Sequence, residues 1–496
     1  MQPIQVKAAA LAAAIVATLL LGCSPQDPAQ PATTPSVATP AADPDLVILG
    51  GMLLDMVADA PAARPVKALI VRNGKIDRII AADSAETIPA AAATIDAGSN
   101  FILPGFFDAH VHFRPFLPDA AIWKRASIHY GITTLFDTGP CGEHCTDYGQ
   151  EANEWIQAYK AFMNANPLAD GPTLYITGRR IQGPDGSHPL GESLGDRNEI
   201  SSYLDRLVTL GVDGVKVEST LAADLRAIVM EEANARGLPV VGHSRDANES
   251  IAAGMKFIEH MWPITSSVAA GDPGEKFNSP QHDHLIDLGK APALVQSMID
   301  NGVYLNPTMV GRYGYFADSM KDQAEIDYQS FEFGGLFNDM PEHDKAGVRD
   351  WWLRADGWDD GRLATHKEAL EKVEQFLKLF SDAGGKVLVA TDSGEDKLVG
   401  IGLHREMQML ADAGMTPYRI LLGATRWPAE MTYKDSLIGT LEEGKQADIV
   451  LLGSDPTANI GNSRDIRYVI KAGAILRSPG DCSVITPPAS LSCVSP

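Results

Sequence analysis

Residues Leu103 to His112 read LPGFFDAHVH, an apolar run that ends in two histidines two positions apart. Side chains alternate between the faces of a strand, so His110 and His112 are predicted to point the same way. Two imidazoles at one strand end form half of a transition-metal site. Paired surface histidines are also common, so the interpretation depends on whether further ligands follow.

Residues of the metal-binding type do follow, on four more apolar segments. These segments are Val212–Val217 with Lys216 inside it, Leu238–His243, Met255–His260 and Val387–Asp392. Polar residues at the carboxyl ends of several strands are the active-site layout of a (β/α)8 barrel. The sequence therefore predicts a TIM-type barrel that carries a site on its rim.

The number of strand-like segments agrees with a barrel. Together with the strand of His110, three further segments bring the total to eight: residues 131–137, 172–177 and 303–308. Helical stretches separate the strands, for example Ala222–Arg236 and Ala364–Asp382. Eight β–α repeats predict an α/β barrel over residues 105–431, with insertions.

Short β segments flank the predicted barrel on both sides, at residues 46–104 and 432–478. Asn73-Gly74 lies between two apolar runs and is a strong hairpin signal. We expect the two flanking regions to pack together as one small β-sandwich built from both chain ends.

The first residues have the composition of a targeting segment. Lys7 precedes an apolar stretch, Ala8–Leu21, and the stretch ends in a sequence similar to a bacterial lipobox at Cys23. Residues 1–23 are therefore predicted to be a lipoprotein signal peptide with lipidation at Cys23. A plain secretory signal with an incidental cysteine is the alternative. The protein is expected to be exported, either periplasmic or anchored to the outer membrane.

Residues 24–45 are rich in Pro and Ala and predict an unfolded linker. Residues 479–496 are taken as a C-terminal tail. The chain has 496 residues and a net charge of −23, which argues against a nucleic-acid partner, since phosphates need a basic face. Two insertions, 266–290 and 312–361, are either lids over the site or surface decoration.

Four cysteines remain beyond Cys23, and an even count in an exported chain predicts two disulfides. Cys141–Cys145 and Cys482–Cys493 are the simplest pairing. A zinc site at Cys141 and Cys145, with His144 between them, is the rival interpretation.

Each candidate ligand has an ordinary structural alternative. Lys216 fits a lysine that extends its charged end to the surface, and Asp392 fits a helix N-cap. His243 and His260 each fit a hydrogen-bonded core histidine. The metal-site interpretation is favoured because these residues occur together, in order, at the ends of successive strands.

The chain resembles the metal-dependent amidohydrolase superfamily from about Leu46 to Pro456. Leu103–His112 is similar to the opening motif of that family, and residues 423–450 are similar to its closing motif. The closest resemblance is to the branch of Xaa-Pro dipeptidase-like and imidazolonepropionase-related hydrolases. Lys216 on the fourth strand separates the chain from the mononuclear members. These motifs are specific for fold and metal chemistry and weakly specific for substrate.

This resemblance implies a binuclear centre. The implied ligands are His110, His112 and Asp392 for one metal ion, His243 and His260 for the other, and a carbamate formed by carbon dioxide on Lys216 as a bridge. Zinc suits these ligands, and manganese or cobalt could replace it. Asp392 is expected to act as general base and then as general acid, with a hydroxide as the nucleophile.

The substrate is predicted only as a class. Arg245 is a candidate for binding a substrate carboxylate, and His188 is a candidate for polarising the carbonyl. The leading hypothesis is hydrolysis of a dipeptide or an N-acyl amino acid. Cyclic amide hydrolysis, deamination or lactone hydrolysis at the same metals is the second, and a catalytically silent metal-binding lipoprotein is the third. The oligomeric state is left open.

Overall fold

The computed structural model describes residues 44–112, 119–139, 171–186, 188, 191–271, 279–318, 320, 350, 353–394 and 399–479. All of them belong to one compact unit, Asp43–Pro496. The predicted signal peptide, the linker up to residue 43 and all five cysteines lie outside the described residues. So do most of the insertion at 312–361 and residues 272–278 of the other insertion.

The two chain ends meet in one seven-stranded sheet. Its strands are β1 (Leu46–Leu53), β2 (Arg64–Arg72), β3 (Lys75–Ala81), β4 (Ala93–Pro104), β15 (Ile449–Leu452), β16 (Ile466–Lys471) and β17 (Ala474–Arg477), and their order is β17-β16-β15-β4-β1-β2-β3. β15 pairs antiparallel with β4, so the last part of the chain continues the sheet that the first part began. The predicted association of the two ends is therefore observed within a single sheet, and a two-layered sandwich is not confirmed.

Apolar side chains lie on both faces of this sheet, and both faces are buried. On β2, Leu69 and Val71 pack into one hydrophobic cluster, while Ala68 and Ile70 pack into another. The β2–β3 turn at Asn73-Gly74 has φ values of 51° and 73°. Positive φ at both turn residues is what a two-residue hairpin of this twist needs, so this predicted hairpin is confirmed.

The middle of the chain forms three parallel sheets. Their strands are β5 (Phe106–Val111), β6 (Ile132–Asp137), β7 (Thr173–Ile176), β8 (Arg180–Gln182), β9 (Gly191–Ser193), β10 (Val215–Val217), β11 (Val240–Gly242), β12 (Phe257–Glu259), β13 (Tyr304–Asn306) and β14 (Lys386–Val387). The sheet orders are β5-β6-β7, β11-β10-β8-β9 and β12-β13-β14. The predicted strands are present, although most are shorter than the apolar runs that predicted them.

Backbone hydrogen bonds join the first strand of this set to the segment that follows the last. His110 O accepts from Asp392 N at 2.9 Å, and Ser393 O accepts from His112 N at 2.7 Å. Val111 and Ser393 also form a parallel bridge. The parallel order is that of a barrel, but the described strands do not form one continuous sheet.

Helices follow most of the parallel strands. They are α1 (Asp119–His129), α2 (Arg197–Leu210), α3 (Ala223–Ala235), α4 (Ala247–Ala252), α5 (Trp262–Val268), α6 (Ala291–Asp300), α7 (Met309–Tyr313), α8 (Asp360–Asp382), α9 (Ile401–Asp412), α10 (Pro417–Gly423) and α11 (Arg426–Met431), with 3-10 turns at Pro280–Leu285 and Ile460–Arg464. The helices predicted at 222–236 and 364–382 correspond to α3 and α8. Among the described residues, no helix has the length and apolarity needed to cross a membrane.

Local sequence explains where α2 begins and ends. The Asp196 side chain accepts from the backbone N–H groups of Asn198 and Glu199, and Gly211 ends the helix with φ 72°. A carboxylate at the first turn and a left-handed glycine after the last turn satisfy groups that the helix itself leaves unbonded.

Candidate metal centre

His110, His112 and Asp392 lie together where β5 meets the segment after β14. Asp392 Oδ1 is 3.4 Å from His110 Nε2 and 3.1 Å from His112 Nε2, and the two Nε2 atoms are 3.2 Å apart. His110 is fully buried, whereas His112 and Asp392 are slightly exposed. The structure therefore brings together the three residues that the sequence predicts for the first ion.

His243 and His260 form a second pair at the ends of β11 and β12. Their Nε2 atoms are 3.2 Å apart, and the His260 ring also lies 5.3 Å from the His110 ring between centroids. Trp262 packs against both rings of the pair, with its centroid 4.2 Å from that of His260 and 5.0 Å from that of His243. The two histidine pairs are thus neighbours in one buried cluster.

Three of these rings are oriented by a partner on Nδ1. His112 Nδ1 donates to Gly139 O at 3.0 Å, and His243 Nδ1 lies 2.9 Å from Glu218 Oε2. His260 Nδ1 is 2.6 Å from Thr308 Oγ1, and that hydroxyl donates to Pro307 O.

The direction of these bonds fixes the tautomers. A hydroxyl that already donates must accept from His260, and carbonyl and carboxylate oxygens only accept. Each of the three rings therefore carries its proton on Nδ1 and turns the Nε2 lone pair inward, which is how metal-binding histidines are held.

Lys216 and Glu259 form a buried ion pair between the two histidine pairs. Glu259 Oε1 is 3.4 Å from His110 Nδ1, and Glu259 Oε2 is 3.7 Å from His243 Nε2. Burial lowers the pKa of Lys216 and raises the pKa of Glu259, while the attraction between the two charges opposes both shifts. Lys216 therefore points into the cluster, as predicted, and does not extend to the surface.

Glu259 could not be predicted from the sequence, and the backbone explains why. In a regular strand, Glu259 and His260 would face opposite sides. His260 instead has φ 64°, in the left-handed region, and both consecutive side chains reach the cluster. Asp392 and Thr308 have φ 53° and 48°, so the strand ends around the site share this uncommon conformation.

Glu218 was also missed, although the sequence contains a signal for it. It lies two positions after Lys216, so strand alternation places both side chains on one face. Its other carboxylate oxygen, Oε1, accepts from Arg180 Nη1 at 2.8 Å. Although burial opposes ionisation, His243 and Arg180 hold the pKa of Glu218 well below its usual range.

Burial favours the neutral form of the histidines in the cluster. Burial is the main cause that lowers the pKa of His110, His112, His243 and His260, in the case of His243 to about 4. A neutral imidazole keeps the lone pair that a metal ion binds.

Asp108 positions the segment that carries Asp392. Its Oδ2 accepts from Thr391 Oγ1 at 2.7 Å, and its Oδ1 accepts from Thr391 N at 3.1 Å. Burial raises the pKa of Asp108 to about 7, although the bonds from Thr391 oppose the shift. The aspartate of the opening motif is thus a structural link between the first strand and the last segment.

His188 lies beside the cluster, on Arg180. Arg180 Nη1 is 3.1 Å from His188 Nε2, and because arginine only donates, the proton of the ring is on Nδ1. Burial, with the charge of Arg180, lowers the pKa of His188 to about 4. A neutral ring with an N–H donor is suited to polarise a carbonyl group.

Arg245 lies farther out than the other predicted residues. It is exposed and lines a cavity of about 320 Å³ together with Asp185, residues 219–223, Arg226 and Glu249. This volume is in the range of small-molecule pockets. The structure therefore places Arg245 on an open pocket beyond β10 and β11, two residues after His243.

The donor set fits divalent transition metals. Within the part of the chain that the structure describes, two groups have ligand atoms within 4.8 Å of one another: His110, His112 and Asp392, and His110, Glu259 and His260. Neutral imidazoles with a few carboxylates are the ligands of zinc and of its neighbours in the first transition row.

The chain belongs to the amidohydrolase family, whose model matches residues 101–476. The dihydroorotase of Pelotomaculum thermopropionicum is 24% identical over 438 residues, which cover 84% of this chain and 91% of that protein. The expected enzyme class, hydrolysis of carbon–nitrogen bonds, is confirmed at the level of the family.

Solved structures support the fold. A Xaa-Pro dipeptidase with bound methionine superimposes with a TM-score of 0.59 at 19% identity and covers 87% of this chain and 100% of its own. The ochratoxinase of A. niger gives a TM-score of 0.59 at 17% identity, with 88% and 97% covered.

Proposed function

We propose that this protein uses two divalent metal ions, most simply zinc, to hydrolyse an amide or peptide-like C–N bond in a small molecule. The observation that supports the proposal is the histidine cluster itself. Four neutral rings meet beside a carboxylate, and three of them are held through Nδ1 so that Nε2 faces inward. Without a metal ion, nothing would favour an arrangement in which imidazole lone pairs face one another.

In this proposal the six sequence-predicted ligands keep their assignments. His110, His112 and Asp392 would hold one ion, and His243 and His260 would hold the other. The Lys216 ammonium would first give one proton to Glu259, which it contacts. The free amine would then add to carbon dioxide, which forms an N–C bond and releases a second proton to solvent. The resulting carbamate would supply anionic oxygen ligands to the ions.

Bound divalent ions would lower the pKa of a water molecule and polarise the substrate carbonyl. Asp392 takes a proton from the attacking water and passes it to the leaving nitrogen. His188, through its Nδ1–H, donates a hydrogen bond to the carbonyl oxygen as negative charge develops there. Arg245 contacts the end of the substrate that lies in the open pocket.

A dipeptide or an N-acyl amino acid is the proposed substrate class. The fold of a Xaa-Pro dipeptidase supports this choice. Hydrolysis of a cyclic amide is the second candidate, and it is supported by the relatives named dihydroorotase, one of which aligns over 84% of the chain.

The test is a hydrolysis screen with purified protein that has been loaded with zinc and treated with bicarbonate. The panel contains dipeptides, N-acyl amino acids, cyclic amides and lactones, with metal content measured in parallel. We expect turnover of at least one amide, and we expect Asp392→Asn to lose it roughly 100-fold or more while keeping its circular dichroism. Two bound ions without hydrolysis across the panel would indicate a catalytically silent metal-binding protein.

Two proposals concern the architecture and the location of the protein. The three parallel sheets are proposed to be arcs of one closed eight-stranded barrel, with the mixed sheet as part of a β-sandwich.

The protein is proposed to be exported and anchored by a lipid on Cys23. Mass spectrometry of the mature N-terminus tests the second proposal, since an unmodified Cys23 or an intact residue 1–23 segment would contradict it.

A further inference from the structure

Glu406 is a buried acidic residue of α9 that has no part in the proposed chemistry. Its side chain is fully buried, and both of its oxygens accept hydrogen bonds from the backbone. Oε1 accepts from Met309 N at 2.9 Å, and Oε2 accepts from Val310 N at 2.6 Å. These are the first two N–H groups of α7, which a helix leaves without partners of its own. Glu406 therefore fixes the place where α7 begins.

The segment that Glu406 holds makes two contacts to the metal cluster. Thr308, one position before α7, accepts from His260 Nδ1 at 2.6 Å through its hydroxyl. Asn306 O accepts from His260 N at 2.7 Å. Thr308 has φ 48°, which is uncommon for a β-branched residue and persists only where the surroundings hold it. The bonds between Glu406 and the start of α7 provide such support.

The same face of α9 also packs on the segment of Asp392. Gly402 lies four positions before Glu406, so the two residues share a helix face. A Cβ at Gly402 would lie 3.3 Å from Thr391 Cγ2 and 3.6 Å from Ser393 Oγ, on either side of Asp392. One helix face thus supports a ligand segment of the first proposed ion and the partner of a ligand of the second.

We propose that Glu406 is a positioning residue for His260. By fixing the start of α7, it keeps the Thr308 hydroxyl where it accepts the proton of His260 Nδ1, and the Nε2 lone pair stays free for a metal ion. This inference rests on the proposed function and adds a residue of α9 to the machinery of the second ion.

The first measurement is the tautomer of the His260 ring, which a purely structural role of Glu406 would not change. NMR is recorded on chelator-treated protein with nitrogen-labelled histidine, and the His260 signals are identified by their absence from His260→Gln. The wild type should carry the ring proton on Nδ1. Glu406→Met removes both acceptors and should give a mixture of the two tautomers. Glu406→Gln keeps one acceptor and should lie between them.

The second measurement is zinc affinity, by competition with a chelator. Glu406→Met should bind the second ion roughly 10-fold more weakly, with the first ion unaffected, because effects of outer partners on ligating histidines begin at about this size. His404→Met is the matched control, since it lies on the same helix, is buried and loses contacts to Tyr130 and Ser463. It should keep the His260 tautomer and both affinities.

A combined variant tests whether Glu406 acts through Thr308. Thr308→Val removes the hydroxyl and should itself weaken the second ion. Adding Glu406→Met to Thr308→Val should change the affinity by less than about twofold, because the group through which Glu406 acts is already absent.

Three results would overturn the proposal: an unchanged His260 tautomer in Glu406→Met, the same change in His404→Met, or full additivity with Thr308→Val. If Glu406→Met does not fold, Glu406→Gln decides by the same measurements. If the wild type binds no zinc, the proposed function fails, while the tautomer of the metal-free protein still decides the role of Glu406.

Discussion

Glu218 links a proposed metal ligand to a buried arginine: its Oε2 lies 2.9 Å from His243 Nδ1, and its Oε1 accepts from Arg180 at 2.8 Å. Glu218→Gln keeps the shape but loses the negative charge that holds the His243 proton on Nδ1. We expect the affinity for the second metal ion to fall about 10- to 100-fold, because outer partners of ligating histidines have effects of this size. Competition with a zinc chelator measures it.

Glu231→Gln is the control for this experiment, since Glu231 pairs with Arg197 on the surface. Its zinc affinity should equal that of the wild type. Unchanged affinity for both ions in Glu218→Gln would contradict the assignment of His243 as a ligand.

Removing one partner of the Lys216–Glu259 pair should destabilise the metal-free protein. Both side chains are almost fully buried, so Lys216→Met leaves a buried carboxylate without a cation. We expect the free energy of unfolding of the chelator-treated protein to fall by about 3–5 kcal/mol. Urea denaturation measures this change.

Replacing both partners separates a charge effect from a packing effect. Lys216→Met combined with Glu259→Met should be less destabilised than Lys216→Met alone, because apolar pairs replace buried ion pairs at little cost. If the double variant loses as much free energy of unfolding as the two single variants together, the two positions are not coupled by the ion pair.

Strand alternation and residue type were enough to predict the inner cluster. His110, His112 and His243 end apolar runs, and the structure brings them together with His260 and Asp392. The same regularity failed at Glu259, because the left-handed backbone of His260 breaks the alternation on which the prediction depends. Where the backbone at a strand end is irregular, periodicity does not predict which way a side chain points.

Arg180 and Thr308 could not be predicted from the sequence for a different reason. Arg180 and Thr308 approach the histidines through contacts between segments far apart in the chain, as in the 48 positions between His260 and Thr308. Periodicity reports which face a residue occupies, but not which distant loop lies opposite. Strand lengths were overestimated because apolar, buried runs extend beyond the regular strands: β14 ends at Val387, although residues 388–390 are also apolar and buried.

His188 should affect turnover but not metal content. It contacts Arg180 and lies beside the proposed ligands without being one of them. We expect His188→Ala to lower kcat roughly 100-fold on the substrate found in the screen, with two ions still bound. Since burial and Arg180 lower the pKa of His188 to about 4, its contribution should be constant above about pH 5.

A pH profile of kcat with metal analysis checks this prediction, and His188→Asn is the informative second variant because its amide keeps a donor. Partial recovery of kcat in His188→Asn would agree with hydrogen-bond donation. Loss of bound metal in either variant would place His188 among the groups that hold the ions.

His404, away from the cluster, should make the protein sensitive to acid. It is buried, with Nε2 donating to Tyr130 O at 2.9 Å and Nδ1 2.8 Å from Ser463 Oγ. Burial, opposed by the bond to Tyr130, lowers the pKa of His404 to about 3 from an ordinary value of 6.5. Between these values the unfolded chain binds a proton that the folded chain does not.

The free energy of unfolding should therefore fall as pH decreases from about 6.5 toward about 3, by up to about 1.4 kcal/mol per pH unit from this group. His404→Gln cannot bind that proton, so its stability should depend less steeply on pH over the same window, even if it is less stable at pH 7. Urea denaturation of chelator-treated wild type and variant at several pH values gives the two slopes. The other buried histidines titrate equally in both proteins. If the free energies of unfolding of wild type and variant change in parallel with pH, His404 accepts its proton in the folded state, which contradicts the prediction.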